Sequence, residues 1–150
     1  MTASREPSND ESELADADFA RLLAFRDGLR AFLHWSDNRA GEVGLTAMQH
    51  QLLLVVRGHG STPTVSDIAG HLLLRHHSVV ELVDRAARAG LVERRLDEHD
   101  HRIVRVSLTP EGEQRLTQLS SAHLEELARL EGLFAPLRAG LPESTEQGRS

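Results

Sequence analysis

A chain of 150 residues, 39% hydrophobic and 27% charged, has the size and balance of one globular domain. It contains no Cys, which excludes disulfides, thiolate metal sites and cysteine nucleophiles, and no apolar run approaches the ~18 residues of a membrane span. The net charge of −6 argues against a nucleic-acid partner only until its distribution is read: residues 1–20 carry one Arg against six acids, whereas 61–109 balance seven Arg with seven acids and add five His. Aromatic residues are 3%, with no Tyr and a single Trp, so the core must come from Leu, Val and Ala, a composition that favours helices over a sandwich.

Residues 1–15 are polar and acidic, with no basic stretch leading into an apolar one, so a disordered tail rather than a signal peptide is expected, on a soluble cytoplasmic protein. Phe19, Leu22, Leu23, Phe25, Leu29, Phe32 and Leu33 then recur at steps of three and four, predicting a helix over 16–38 that Gly41 and Gly44 break. Thr46 caps a second helix, which ends at Gly58–Gly60. After a Ser-Thr-Pro loop, Thr64 and Asp67 have capping-box spacing and open a short third helix to about Leu73. A fourth follows from His76 to Ala89, with Val79, Leu82, Val83 and Ala86 inward and Gly90 as its stop.

The period then changes to two. Residues 91–96 alternate, with Val92 and Leu96 on one side and Glu93 and Arg95 on the other; 97–100 are turn-like; Val104, Val106 and Leu108 alternate again. This is a two-stranded hairpin over 91–108. Thr109-Pro110-Glu111 starts a last helix predicted to run to Ala135, where Pro136 ends or kinks it. Its stripe from Leu116 through Leu119, Leu127, Leu130 and Phe134 outlasts what one small domain can cover. A polar tail over 141–150 is expected to follow.

Two short helices joined by a tight turn and followed by a hairpin make a winged helix-turn-helix. The fold class is therefore mainly α with a small β-hairpin, in a single domain over 16–140. The major groove, ~12 Å wide, admits one helix, which must project from a partner helix behind it. Packing of the third helix against the fourth leaves Arg75, His76, His77, Ser78 and Glu81 at the exposed N-terminal end, where such helices touch base edges. The hairpin carries Arg102 beside its tip, within reach of a backbone or minor groove.

At these residues the chain resembles the MarR family. Ser78-Val79-Val80-Glu81-Leu82-Val83-Asp84-Arg85, then Ala89-Gly90-Leu91-Val92-Glu93-Arg94-Arg95, is similar to that family's recognition helix and first wing strand. Asp100-His101-Arg102, five residues, then Leu108-Thr109-Pro110-Glu111-Gly112 reads as its D-x-R-x5-L-T motif, and Leu45-Thr46 fits as well. The resemblance spans about residues 16–138. It implies a homodimer interlocked through N- and C-terminal dimerisation helices, with Arg95 in the DNA-facing set, Asp100 pinning the wing by an ion pair and Arg102 entering the minor groove. It also implies a pseudo-palindromic double-stranded DNA partner and a transcription regulator, generally a repressor, with a small-molecule effector pocket between the dimerisation helices and the DNA-binding lobe. Phe32, Trp35 and His50 are candidates for that pocket, or plain core and subunit contacts.

The chain departs from the family where Arg75 stands in place of a Ser-like cap, where His76-His77 replaces a basic–Pro or polar pair, and where Val80 and Glu81 replace Thr and Arg. Glu81 either accepts from a cytosine amino group or repels phosphate. His99-Asp100-His101 does not converge on a metal, the nine His lack ligand spacing, and no metal or cofactor is assigned. Ser66, Ser78 and Ser107 have structural explanations and no phosphate-cradling loop is present, so no enzyme is expected. A winged-helix protein-interaction module and an effector-independent DNA-binding protein stay open as alternatives.

Overall fold

The computed structural model describes residues 14–141, in the order α1 (Asp16–Glu42), α2 (Ala47–Gly58), α3 (Val65–Leu72), α4 (His76–Arg88), β1 (Val92–Leu96), β2 (Val104–Leu108) and α5 (Pro110–Arg138). The expected tails fall outside the described residues, apart from Leu14, Ala15 and Leu141. The architecture is the mainly helical winged helix-turn-helix that the residue pattern predicts.

Local chemistry starts the helices. Thr46 accepts from Gln49 N–H while the Gln49 side chain accepts from Thr46 N–H, and Thr64 and Asp67 exchange the same pair of bonds. Thr109 accepts from Gly112 N–H at 3.0 Å, with Pro110 in the first turn where its missing N–H costs nothing. The helix ends share one device. Leu45 N–H reaches back to Ala40 C=O and Leu91 N–H to Ala86 C=O, with Gly44 and Gly90 in left-handed conformation between. In α3 the same return bond runs from Leu74 N–H to Ala69 C=O, but the left-handed residue is Leu73, at φ 54 and 90% exposed.

Two helices outrun their predicted ends. α1 passes through Gly41 to Glu42, because the left-handed stop is Gly44 alone. α5 passes through Pro136 to Arg138. The carbonyl that Pro136 leaves without an N–H partner belongs to Gly132, which is exposed and so open to water.

α2 lies at the centre, packed on α1, α3, α4, α5 and β2, with Leu52 and Leu53 fully buried. Ile68 of α3, Val79 and Val83 of α4, Leu91 and Val106 complete the same core. β1 and β2 pair antiparallel, Val92 opposite Leu108 and Leu96 opposite Val104. The hairpin is not left alone: Val106 N–H bonds to Pro63 C=O and Thr64 bridges Arg105, adding a third short edge. Val92 is buried, whereas Leu96 on the same side of the strand is 54% exposed, because the tip extends beyond the reach of the helices.

The junction of the hairpin with α5 is the tightest place in the fold. Thr109 N–H donates to Leu91 C=O, and a Cβ on Gly112 would stand 2.1 Å from that same oxygen. Replacement Gly112→Ala must therefore displace backbone, and a loss of about 1–3 kcal/mol in unfolding free energy is expected by urea denaturation. Leu73→Gly should act in the opposite direction. It relieves a left-handed Leu that buries almost nothing, and a gain of about 0.5–1 kcal/mol is expected in the same measurement after the entropy of the added glycine is allowed for.

Candidate nucleic-acid interface

α4 is divided along its length. Val79, Leu82, Val83 and Ala86 are buried, and the opposite side of its first turns is open: Arg75, His76, His77 and Glu81 are exposed and Ser78 is half-buried. Arg75 occupies the cap position without a side-chain capping bond, and no acid lies in the first turn. The uncapped N–H groups and the positive end of the helix dipole thus face outward beside three basic side chains, an arrangement that attracts anions.

The wing flanks this end. A cleft of about 310 Å³ runs between the start of α3, the start of α4 and the wing, lined among others by Ser66, His76, Val80 and Arg102. His76 and Arg102, far apart in sequence, thereby share one recess. Arg95 does not join them. It lies on the other side of the hairpin, in a separate recess with Thr62, Asp97 and Arg105.

The tip is built on Asp97. Its carboxylate accepts from the backbone N–H of His99 and of Asp100, both at 3.0 Å, and from Arg105 Nε at 2.6 Å. Arg105 also donates to Thr62 C=O at 2.7 Å, tying the wing to the loop before α3. The Arg105 hydrogen bond, followed by the two backbone N–H groups, lowers the Asp97 pKa to about 2. Asp100 forms a forked pair with Arg102, Nε and Nη2 each at 3.0 Å, which holds its carboxyl below the ordinary range. The Arg102 side chain remains 90% exposed.

A second cluster lies where α1, α2 and α5 meet. Phe32 stacks on Trp35 at 6.0 Å, and the Trp35 and His50 rings each lie 4.8 Å from His123. His123 Nδ1–H donates to Leu119 C=O at 2.8 Å, leaving Nε2 to accept from the Ser36 hydroxyl, also at 2.8 Å. His50 is buried, and that burial, followed by the charge of His123, lowers its pKa against a smaller opposing effect of Asp37. Phe32, Trp35 and His50 are thus brought together as the sequence suggests. Ser36 and His123 complete the group, joined across 87 residues.

The sequence model of the MarR family matches residues 43–103, from the end of α1 through the helix-turn-helix to the wing tip. Over that stretch the chain is similar to the MarR family. It is 34% identical over 64 residues to the uncharacterised HTH-type transcriptional regulator YsmB of Bacillus subtilis, a match that covers 43% of this chain and 44% of YsmB. Among solved structures its fold is shared by the MarR family transcription regulator SP03579, with TM-score 0.70 and 23% identity over 83% of this chain and 82% of that one. A mutant of S. aureus MepR bound to an oligodeoxyribonucleotide aligns with TM-score 0.60 and 21% identity, over 87% of each chain. NadR in complex with 4-hydroxyphenylacetate aligns with TM-score 0.65 and 22% identity, over 83% of this chain and 84% of that one.

The wing holds two ion pairs. Asp100 is engaged with Arg102 itself, and the ion pair that fastens the hairpin is Asp97–Arg105. The reason is reach: Arg105 sits on β2 within range of both Asp97 and Thr62, whereas the Asp100 carboxylate turns to the Arg102 backbone and guanidinium two residues on. Because the folded Asp97 pKa lies below its ordinary value of 3.8, the contribution of this pair is complete above about pH 4 and is lost as pH falls toward 2. The protection of the His99 and Asp100 amides from exchange, taken relative to the intrinsic rate at each pH, should fall over that window, and in Asp97→Asn it should be low already at neutral pH.

Proposed function

We propose that this protein is a homodimeric transcription regulator, a repressor modulated by a small-molecule effector, that reads double-stranded DNA with the start of α4 in the major groove and Arg102 beside it. The observation that carries the reading is the outward N-terminal end of α4 sharing a cleft with Arg102 across from it. Arg75, His76, His77, Ser78 and Glu81 form the groove-reading ridge, with Arg102 in the adjacent minor groove and Asp100 presenting it. Arg95 and Arg105 face another recess, so Arg95 serves the backbone at most. The oligonucleotide complex of MepR, on the same fold, supports DNA as the partner.

Two-fold assembly is supported by what α1 and α5 leave uncovered. Phe19, Leu22, Leu23, Phe25, Leu29 and Leu33 of α1 are 40–60% exposed, as are Leu127 and Leu133 of α5. An apolar recess of about 550 Å³ opens between Leu22, Phe25, Phe134, Leu137 and Leu141. An apolar surface of this extent marks an interface. A second copy would cover it and set two α4 helices roughly 34 Å apart on a pseudo-palindrome. The cluster of Phe32, Trp35 and His50 with His123 lies between these dimerisation helices and the DNA-binding lobe. The NadR complex with 4-hydroxyphenylacetate, on the same fold, supports a small-molecule effector; at this cluster it would meet His50, whose burial favours the neutral form.

Duplexes selected from random DNA should converge on a two-fold symmetric site. In fluorescence anisotropy Arg102→Ala should weaken binding and reduce the slope of log affinity against log salt by about 1. Exposed Glu81 on α4 and the net charge of −6 favour the second reading, a winged-helix protein-interaction module. The absence of salt-dependent binding to any duplex would favour it over the first.

A further inference from the structure

The end of α2 and the outer face of α3 bring together three groups that the DNA-facing surface does not use. His59 caps α2, its N–H bonded to Val55 C=O, and His71 stands in the last turn of α3. His59 Nδ1 lies 3.1 Å from His71 Nε2, with the two rings at 89° to one another. The other nitrogen of His59, Nε2, lies 3.6 Å from Asp67 Oδ2. Asp67 is one turn before His71 on the same helix, and its carboxylate is fixed by the Thr64 capping bonds.

We propose that His59 and His71 form a site for one divalent transition-metal ion of the zinc, nickel and copper class, with Asp67 orienting His59 from behind. Imidazole nitrogens select these metals over magnesium or calcium. A metal about 2.05 Å from each of two nitrogens 3.1 Å apart subtends roughly 100° between them, which a small ring rotation opens to the tetrahedral angle. A ligating His commonly donates its remaining ring N–H to a carboxylate, which fixes the tautomer and raises its basicity. Asp67 Oδ2, 3.6 Å from His59 Nε2, lies just beyond hydrogen-bond distance of that role, and the ring rotation that admits the metal would have to close the gap. The site is open, because His71 is exposed and His59 partly so, and among the described residues no third His, Asp or Glu converges on the same point. Water would fill the remaining positions. The other histidines lack this arrangement. Both ring nitrogens of His123 are engaged by Leu119 and Ser36, and His76 and His77 are successive residues on one helix, where side chains diverge.

A metal here would tie α2 to α3 and stabilise the folded chain by mass action. The test is calorimetric titration of zinc chloride into the full chain at neutral pH in a non-chelating buffer, together with thermal melting. One equivalent should bind with micromolar affinity and raise Tm. His71→Gln, at an exposed position, and His59→Gln should abolish that equivalent and the rise in Tm. Asp67→Asn, which keeps the capping acceptor and removes the charge, should weaken binding about tenfold. Replacement of His99 and His101 by Gln should leave it unchanged. If folded wild-type protein takes up no zinc even at large molar excess, or if His71→Gln gives the wild-type isotherm, the site does not exist and the two rings share only a proton.

Discussion

Val79, Leu82, Val83 and Ala86 retain almost no accessible surface, and the outward side of α4 depends on that grip. A helix that must present one face to solvent can be held only by the other. Burial of a Val or Leu side chain contributes roughly 1.5–3 kcal/mol, so this face outweighs any single polar contact in the lobe. The same comparison explains the turn between α3 and α4. A left-handed Leu73 costs about 1–2 kcal/mol, less than what Ile68 and Val79 recover once the turn lets the two helices meet.

The wing obeys a different balance. Its base is anchored by apolar burial at Val92 and Val106 and by the backbone bonds to Pro63 and Leu91. Its tip has no such cover, and exposed ion pairs contribute little to stability. Asp97, Arg105, Asp100 and Arg102 therefore act on geometry more than on folding. Asp97 organises the turn through two backbone N–H groups, Arg105 ties it to Thr62, and the Asp100 fork holds the Arg102 guanidinium in one orientation while leaving it accessible.

What could be read from the residues alone followed from short-range chemistry. The caps at Thr46, Thr64 and Thr109, the left-handed stops at Gly44 and Gly90, and the change of period at Leu91 each depend on a few neighbours, and together they fix element order and the outward face of α4. The features that could not be read depend on what lies across space. Pro136 stays within α5, and the carbonyl it orphans belongs to Gly132, exposed to water. Leu73 adopts a glycine conformation because α3 and α4 must turn there. Leu96 faces solvent because no helix reaches the tip. In the wing motif Asp100 was the visible acid, yet it is Asp97 that ties the tip to Arg105. His123 meets Ser36 across 87 residues, and His59 meets His71 across a loop, so neither pair has a local spacing that announces it.

The position of Trp35 has an optical consequence. It is the single indole in the chain, and no Tyr contributes a background signal. Its ring lies 4.8 Å from the His123 imidazole and 5.6 Å beneath the Arg39 guanidinium, where the long helices converge on α2. Emission excited near 295 nm therefore originates from one place, the seam between the arms of the molecule and its lower lobe. Unlabelled protein carries its own gauge of any rearrangement at that seam.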